Sequence, residues 1–213
     1  MNAKGRRLRD ISVVVRPGTP EWPGDTPFSC RWTWQVAKGA SVNVSALEMS
    51  PHVGTHADAP LHVRDGWPAS DELRAEAFVG PALVIGLEGV SGQIGTEALS
   101  KRLPRRVERL LLRTGRTIAV GSFPEAWPAL APATAQWLAA RGLTLLGVDA
   151  PSVDDRESKT LDTHRALFEA GVTIVENLDL RDVSDGPYEL IALPMRVAGL
   201  DAAPVRAVLV EVG

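Results

Sequence analysis

The chain has 213 residues, 45% hydrophobic and 23% charged, with a formal net charge of −3. That balance predicts one globular domain over residues 1–213 with a substantial core, and the absence of a basic tract argues against nucleic acid or an anionic membrane as partner. Cys30 is the only cysteine, which excludes an intrachain disulfide and cysteine-rich zinc frameworks; the first apolar run, 11–15, is too short for a signal-peptide core, and no stretch approaches the roughly 20 apolar residues of a membrane span, so the cytoplasm is the expected location.

Residues 10–15 read as a β-branched first strand, broken by Pro17 and Pro20. Residues 21–25 continue as a loop that carries Trp22, either an aromatic cap on the core or a pocket wall. Residues 28–36 alternate, with Phe28, Cys30, Trp32 and Trp34 on one parity, and 42–49 alternate less cleanly. The two segments predict a hairpin across 37–40. Its second strand runs into Ser50–Gly66, the stretch on which a functional reading turns.

That stretch holds three of the four histidines in the chain, His52, His56 and His62, together with Asp58. All four residues share one parity, so in an extended chain they face one way. A helix is disfavoured by Gly54, Thr55 and Pro60. Fully extended, the steps from His52 to His62 would span roughly 33 Å, too far for one ion, so the chain must bend, with Gly54 and Pro60 the expected bends. A single histidine is more often a hydrogen-bonded surface or core residue than a ligand. Three with an aspartate in so short a stretch, joined by His164 and Glu176 later in the chain, point instead to a metal-centred site, read as hydrolytic although spacing alone does not name the reaction.

Beyond it, 67–77 reads as loop with a short helix, 82–87 as a buried strand, 95–103 as a short helix with Thr96 at its start, and 107–113 as a strand. Residues 115–132 form a long Gly- and Pro-rich loop in which Phe123 and Trp127 line a pocket or pack in the core. A helix over 133–141 stops at Gly142, and a strand follows over 143–148. A polar loop, 154–163, leads to a short helix, 164–170, with Asp162 or Thr163 as cap and His164 at its start. Strand 172–175 delivers Glu176, and 190–194 and 205–212 are late strands. The mixture predicts an α/β fold. No Gly-x-Ser-x-Gly elbow and no phosphate-binding Gly-x-x-x-x-Gly-Lys-Ser/Thr loop is present.

The segment HVGTHADAPLH, residues 52–62, fits His-x-Gly-Thr-His-x-Asp-x-Pro-x-His and resembles the metal-dependent cyclase family. WPGD at 22–25, GVDAPSV at 147–153, SKTLDTH at 158–164, VENL at 175–178 and YELIALP at 188–194 resemble its kynurenine formamidase branch, in order and over nearly the whole chain. The resemblance implies a single domain with a mixed β-sheet and flanking helices, of the swivelling β/β/α type, and a homodimer. It implies hydrolysis of N-formyl-L-kynurenine to L-kynurenine and formate in tryptophan breakdown, with a metal-activated water as nucleophile and no organic cofactor. By the same resemblance His52, His56 and Asp58 bind one Zn²⁺, Asp58 bridges to a second held with His164, and Glu176 contacts one or both. His62 is then left off the metal as general acid/base, and Trp22 becomes a substrate contact. The ligand chemistry suits Mn²⁺ as well. Ser152, Asp154 and Arg116 stand as loose candidates for the amino-acid end of the substrate. Two rivals remain: an isatin hydrolase-like opening of a cyclic amide within the same family, and a metal-binding protein without catalysis.

Overall fold

The computed structural model describes residues 7–212. In chain order its first strands are β1 (Leu8–Asp10), β2 (Ser29–Trp34), β3 (Val44–Glu48), β4 (His56–Asp58), β5 (Val79–Gly86) and β6 (Gln93–Ile94). Then come β7 (Arg109–Arg113), β8 (Ala129–Leu130), helix α1 (Pro132–Ala139), β9 (Leu145–Val148), helix α2 (Asp162–Glu169) and β10 (Thr173–Glu176). The chain closes with β11 (Gly186–Ile191), β12 (Ala202–Pro204) and β13 (Val208–Glu211). Nine strands make one mixed sheet in the order β1-β13-β11-β5-β7-β9-β10-β4-β12. The expected α/β class, a mixed sheet with flanking helices, is what the chain adopts. No helix among the described residues is long and apolar enough to cross a membrane.

Strands β5, β7, β9 and β10 run parallel at the centre. Parallel strands covered on both faces read as continuous apolar runs, and Leu110, Leu111 and Leu112 are all 0% exposed. Alternation splits them between two cores. Leu110 and Leu112 join Leu146, Ile174 and the helix residues Leu138 and Leu167 on one face. Leu111 joins Leu145, Val175, Val84 and Leu209 on the other. The metal-type residues gather at the edge of this slab, where β4 pairs antiparallel with β10 on one side and with β12 on the other.

Three local expectations shift. The first strand ends at Asp10 rather than running to 15: Ile11 drops into the core at 1% exposure, and the backbone N–H of Val13 donates to Thr55 Oγ1 at 2.8 Å instead of continuing a ladder. Residues 95–103 hold only a 3-10 turn, Thr96–Ala98. The hairpin forms as expected, β2 antiparallel to β3, but among the described residues it pairs with no other strand, and its alternation does not bury a face. Trp32 and Trp34 are 58% and 57% exposed, and Cys30 is exposed too.

Candidate metal centre and adjoining cavity

Between His52 and His56 the backbone bends at Gly54, whose φ is +76°. A Cβ there would sit 2.5 Å from Val15 Cγ2, so both the left-handed turn and the close approach call for glycine. The chain then enters β4, where alternation puts His56 and Asp58 on one face. Glu176 stands opposite His56 across the β4–β10 ladder and so shares that face. Pro60 opens a 3-10 turn, Pro60–His62, that swings His62 back toward the cluster. Both expected bends are therefore present, and the extended segment between them is only three residues long.

His164 sits in the first turn of α2, but neither Asp162 nor Thr163 caps that helix. The residue before it, Leu161, takes a left-handed φ of 50° and makes no side-chain cap. Asp154 from the preceding loop takes over. Its carboxylate accepts from the backbone N–H groups of Thr163 and His164 at 3.0 Å each, and from His164 Nδ1 at 2.6 Å. One buried acid thus satisfies two orphan helix donors and aims the imidazole.

Two sets of donor atoms meet at Asp58. His52 Nδ1 and His56 Nε2 each lie 3.2 Å from Asp58 Oδ1. On the other side His164 Nε2 lies 3.3 Å from Asp58 Oδ2. Glu176 spans both sets, with Oε2 3.7 Å from His56 Nε2 and Oε1 3.4 Å from His164 Nε2. Within each triad, His52–His56–Asp58 and Asp58–His164–Glu176, the donor atoms lie within 4.8 Å of one another.

The chemistry of these atoms calls for a cation. His56 Nδ1 faces the carbonyl oxygen of Gly54 at 2.9 Å, and a carbonyl only accepts, so the ring proton is on Nδ1. In the neutral ring that leaves a bare lone pair on Nε2 aimed at a carboxylate oxygen. His56 Nε2 and Asp58 Oδ1 are both buried without a hydrogen-bond partner. Two buried acceptors 3.2 Å apart repel unless something positive lies between them. In the metal-free chain protons partly fill that role. Burial alone would lower the pKa of His52, but the neighbouring carboxylates of Asp201 and Asp58 outweigh it and raise it to about 10. His164, although burial opposes it, is pushed well above the usual histidine range by Asp154, Asp58 and Glu176. Asp58 is fully buried, which would raise its pKa, yet the four surrounding contacts from His56, His164 and His52 hold it well below the usual carboxylate range. Nitrogen and carboxylate donors so arranged fit a divalent metal ion.

A cavity of about 540 Å³ opens over the centre, lined by His52, His56, His62, His164 and Glu176 at its floor. That volume suits a small organic ligand. Trp22 and Phe123 form its aromatic wall, 5.6 Å apart in an edge-to-face pair. Trp127 backs both rings, at 5.9 Å from Trp22 and 6.0 Å from Phe123. It is a core residue, 5% exposed, with Nε1–H donating to the Asp154 carbonyl at 2.8 Å. The two alternatives for the long loop thus divide: Phe123 lines the cavity and Trp127 packs behind it. Arg156 and Lys159 also line the cavity.

All six residues read from the sequence as a metal-centred cluster come together here, and Trp22 faces the same cavity. Of the loose candidates, Ser152 lines the cavity, Asp154 is committed to His164, and Arg116 is exposed and outside the lining residues. Sequence reasoning missed Asp201. Its Oδ2 lies 2.9 Å from His52 Nε2 and 3.2 Å from His62 Nδ1. It also missed Asn177, buried at the cavity wall with a left-handed φ of 56° and an unpartnered Oδ1. A non-glycine residue in that conformation beside Glu176 could not be recognised from its neighbours in the chain.

The family model described as "Putative cyclase" matches residues 9–155. A kynurenine formamidase from Bordetella pertussis is 45% identical over 206 residues, which is 97% of this chain and 99% of that one. Among solved structures, a predicted metal-dependent hydrolase from Bacillus stearothermophilus is 28% identical with a TM-score of 0.83, covering 98% of this chain and 100% of that one. Isatin hydrolase A from Ralstonia solanacearum has a TM-score of 0.82 at 20% identity, covering 98% of this chain and 93% of that one. At that identity the likeness is one of fold.

Proposed function

Because the chain belongs to the cyclase family, we propose that it is a metal-dependent amidase that hydrolyses N-formyl-L-kynurenine to L-kynurenine and formate, a step of tryptophan breakdown. The observation that carries this reading is the pair of donor triads sharing Asp58 beneath a cavity with an aromatic wall. The extensive identity to a kynurenine formamidase supports the choice of substrate.

His52, His56 and Asp58 would hold one ion, and Asp58, His164 and Glu176 a second; Zn²⁺ suits both sets. Such an ion, when bound, supplies Lewis acidity and a nucleophile at neutral pH. The chain does the rest. Gly54 O and Asp154 fix the rings of His56 and His164. Trp22 offers a flat indole to the aromatic ring of the substrate and so orients the formamide over the centre. His62 is the one histidine outside both triads around Asp58, its donor atom grouping instead with those of His52 and Asp201. Its Nδ1 is taken up by Asp201, which leaves Nε2 to exchange a proton. In hydrolysis, water oxygen bonds to the formyl carbon, the carbon–nitrogen bond breaks, and His62 delivers the proton that the departing aniline nitrogen needs.

The exposed hairpin supports a homodimer, since Trp32, Trp34 and Leu47 present an apolar surface 57–66% exposed. The substrate assignment is tested by giving the zinc-loaded protein N-formyl-L-kynurenine and isatin side by side. Preferential release of kynurenine is expected. Opening of isatin with no action on the formamide would transfer the chain to the cyclic-amide hydrolases.

A further inference from the structure

Each histidine facing Asp58 has its outer nitrogen held by another group. For His56 that group is the Gly54 carbonyl and for His164 it is Asp154, each serving one ring. For His52 it is Asp201, and Asp201 also holds His62. We infer that Asp201 is a shared positioning residue, whose single oxygen Oδ2 sets the ring orientation and tautomer of the metal ligand His52 and of the acid/base His62 together. This inference rests on the roles proposed above for those two histidines.

The geometry is specific. Oδ2 stands 2.9 Å from His52 Nε2 and 3.2 Å from His62 Nδ1, and the two rings lie 4.4 Å apart at a 46° tilt. Although the Asp201 side chain is 43% exposed, its backbone is fixed. The Asp201 carbonyl accepts from Ala59 N–H at 2.8 Å, and the next residue, Ala202, pairs with Asp58 itself. The ladder that sets Asp58 therefore also sets Asp201.

A carboxylate only accepts hydrogen bonds, and one oxygen has lone pairs for two donors. Facing it, His52 must carry its proton on Nε2, which frees the Nδ1 lone pair toward the ion-binding side, where Asp58 Oδ1 is 3.2 Å away. His62 must carry its proton on Nδ1, which keeps Nε2 open for proton exchange. The reversed tautomer of His52 would point an N–H at the ion, and that of His62 would occupy the exchanging nitrogen. Metal ligation and proton transfer are thus tied to the same atom, and neither Gly54 nor Asp154 makes such a link. Loss of an outer-shell partner typically weakens metal binding or activity by ~10–100-fold.

The test compares the wild type with Asp201→Ala and Asp201→Asn, all confirmed folded by thermal melting. Zinc affinity is measured by chelator competition, histidine tautomers by ¹⁵N NMR of the zinc-loaded proteins, and turnover with N-formyl-L-kynurenine at saturating zinc. Asp201→Ala should bind zinc ~10–100-fold more weakly, lower kcat while KM stays nearly constant, and lose the protected Nε2–H of His52 and Nδ1–H of His62. Asp201→Asn keeps an oxygen acceptor and should recover part of all three. Wild-type affinity and unchanged tautomers in Asp201→Ala would overturn the inference. Loss of a whole zinc equivalent at saturation would also overturn it, by making Asp201 a ligand. The affinity and NMR arms need no turnover, so they decide the role of Asp201 even if the wild type leaves the formamide untouched, a result that would count against the proposed substrate alone.

Discussion

Asp58, His56, His164 and Glu176 are 0–3% exposed, whereas the side chains of His52, His62 and Asp201 are 18%, 30% and 43% exposed. The buried half is fixed by strand pairing and by partners that hold its side chains: Gly54 O for His56, Asp154 for His164, and Val153 N–H for Glu176 at 2.8 Å. The wetter half hangs from one turn on each side and shares one carboxylate. The contrast separates two tasks that share one cavity, with His52 at their boundary, grouped with His56 and Asp58 but held from outside by the same carboxylate as His62. Holding a cation demands donors that cannot relax, because bare acceptors in low dielectric repel without it. Exchanging protons demands a group that solvent and substrate can reach.

Substitution in the buried half should do the most damage. Asp58→Ala removes the acid common to both triads and should abolish both metal binding and turnover. It also leaves neighbouring charges unpaired, at a cost of roughly 3–5 kcal/mol in stability. Full metal occupancy by elemental analysis in that variant would break the division. His62→Ala, on the wet side, should lose at least ~10²-fold in rate while retaining its metal; a metal-depleted His62→Ala protein would move His62 to the other task.

Acidity sharpens the contrast in a graded way. His52 has its folded-state pKa raised from 6.5 to about 10, mainly against burial and through Asp201 and Asp58. In the metal-free protein its stabilising contribution is fully present below 6.5 and is lost as pH rises toward 10. Thermal melts of metal-free protein should therefore fall across that window. Zinc must displace the same proton, so its affinity should climb with pH over the same range, by up to about tenfold per unit for each proton released. A pH-independent zinc affinity would show that His52 stays out of the site. The smallest effect belongs to the aromatic wall. Trp22→Ala should raise KM by a few-fold to about tenfold, the value of one aromatic contact, with kcat and metal content unchanged in steady-state assays.

What the sequence made legible follows from distance along the chain. His52, His56, Asp58 and His62 repeat within one stretch, and their spacing carries the signal. The bend at Gly54 was readable because an extended 52–62 segment is too long for one ion and glycine is where such a chain turns; the close approach of Val15 that also demands glycine was not. Asp201 lies 139 residues beyond His62 and reaches it only because β12 returns to pair with β4. No local pattern marks it. Asp154, at the head of a polar loop, read only as a loose candidate for the amino-acid end of the substrate, since its role depends on how α2 begins. The hairpin shows the opposite failure: its alternation was visible, but alternation says which residues share a face and not whether anything covers it.

The central claim is that this cluster, loaded with metal, cleaves an aryl formamide. The most direct measurement strips the protein with chelator, adds Zn²⁺ back in steps, and follows kynurenine release from N-formyl-L-kynurenine alongside bound zinc. The account predicts no turnover without metal and turnover rising in parallel with occupancy of the cluster. Release that is unaffected by stripping, or none at full zinc occupancy, would contradict it.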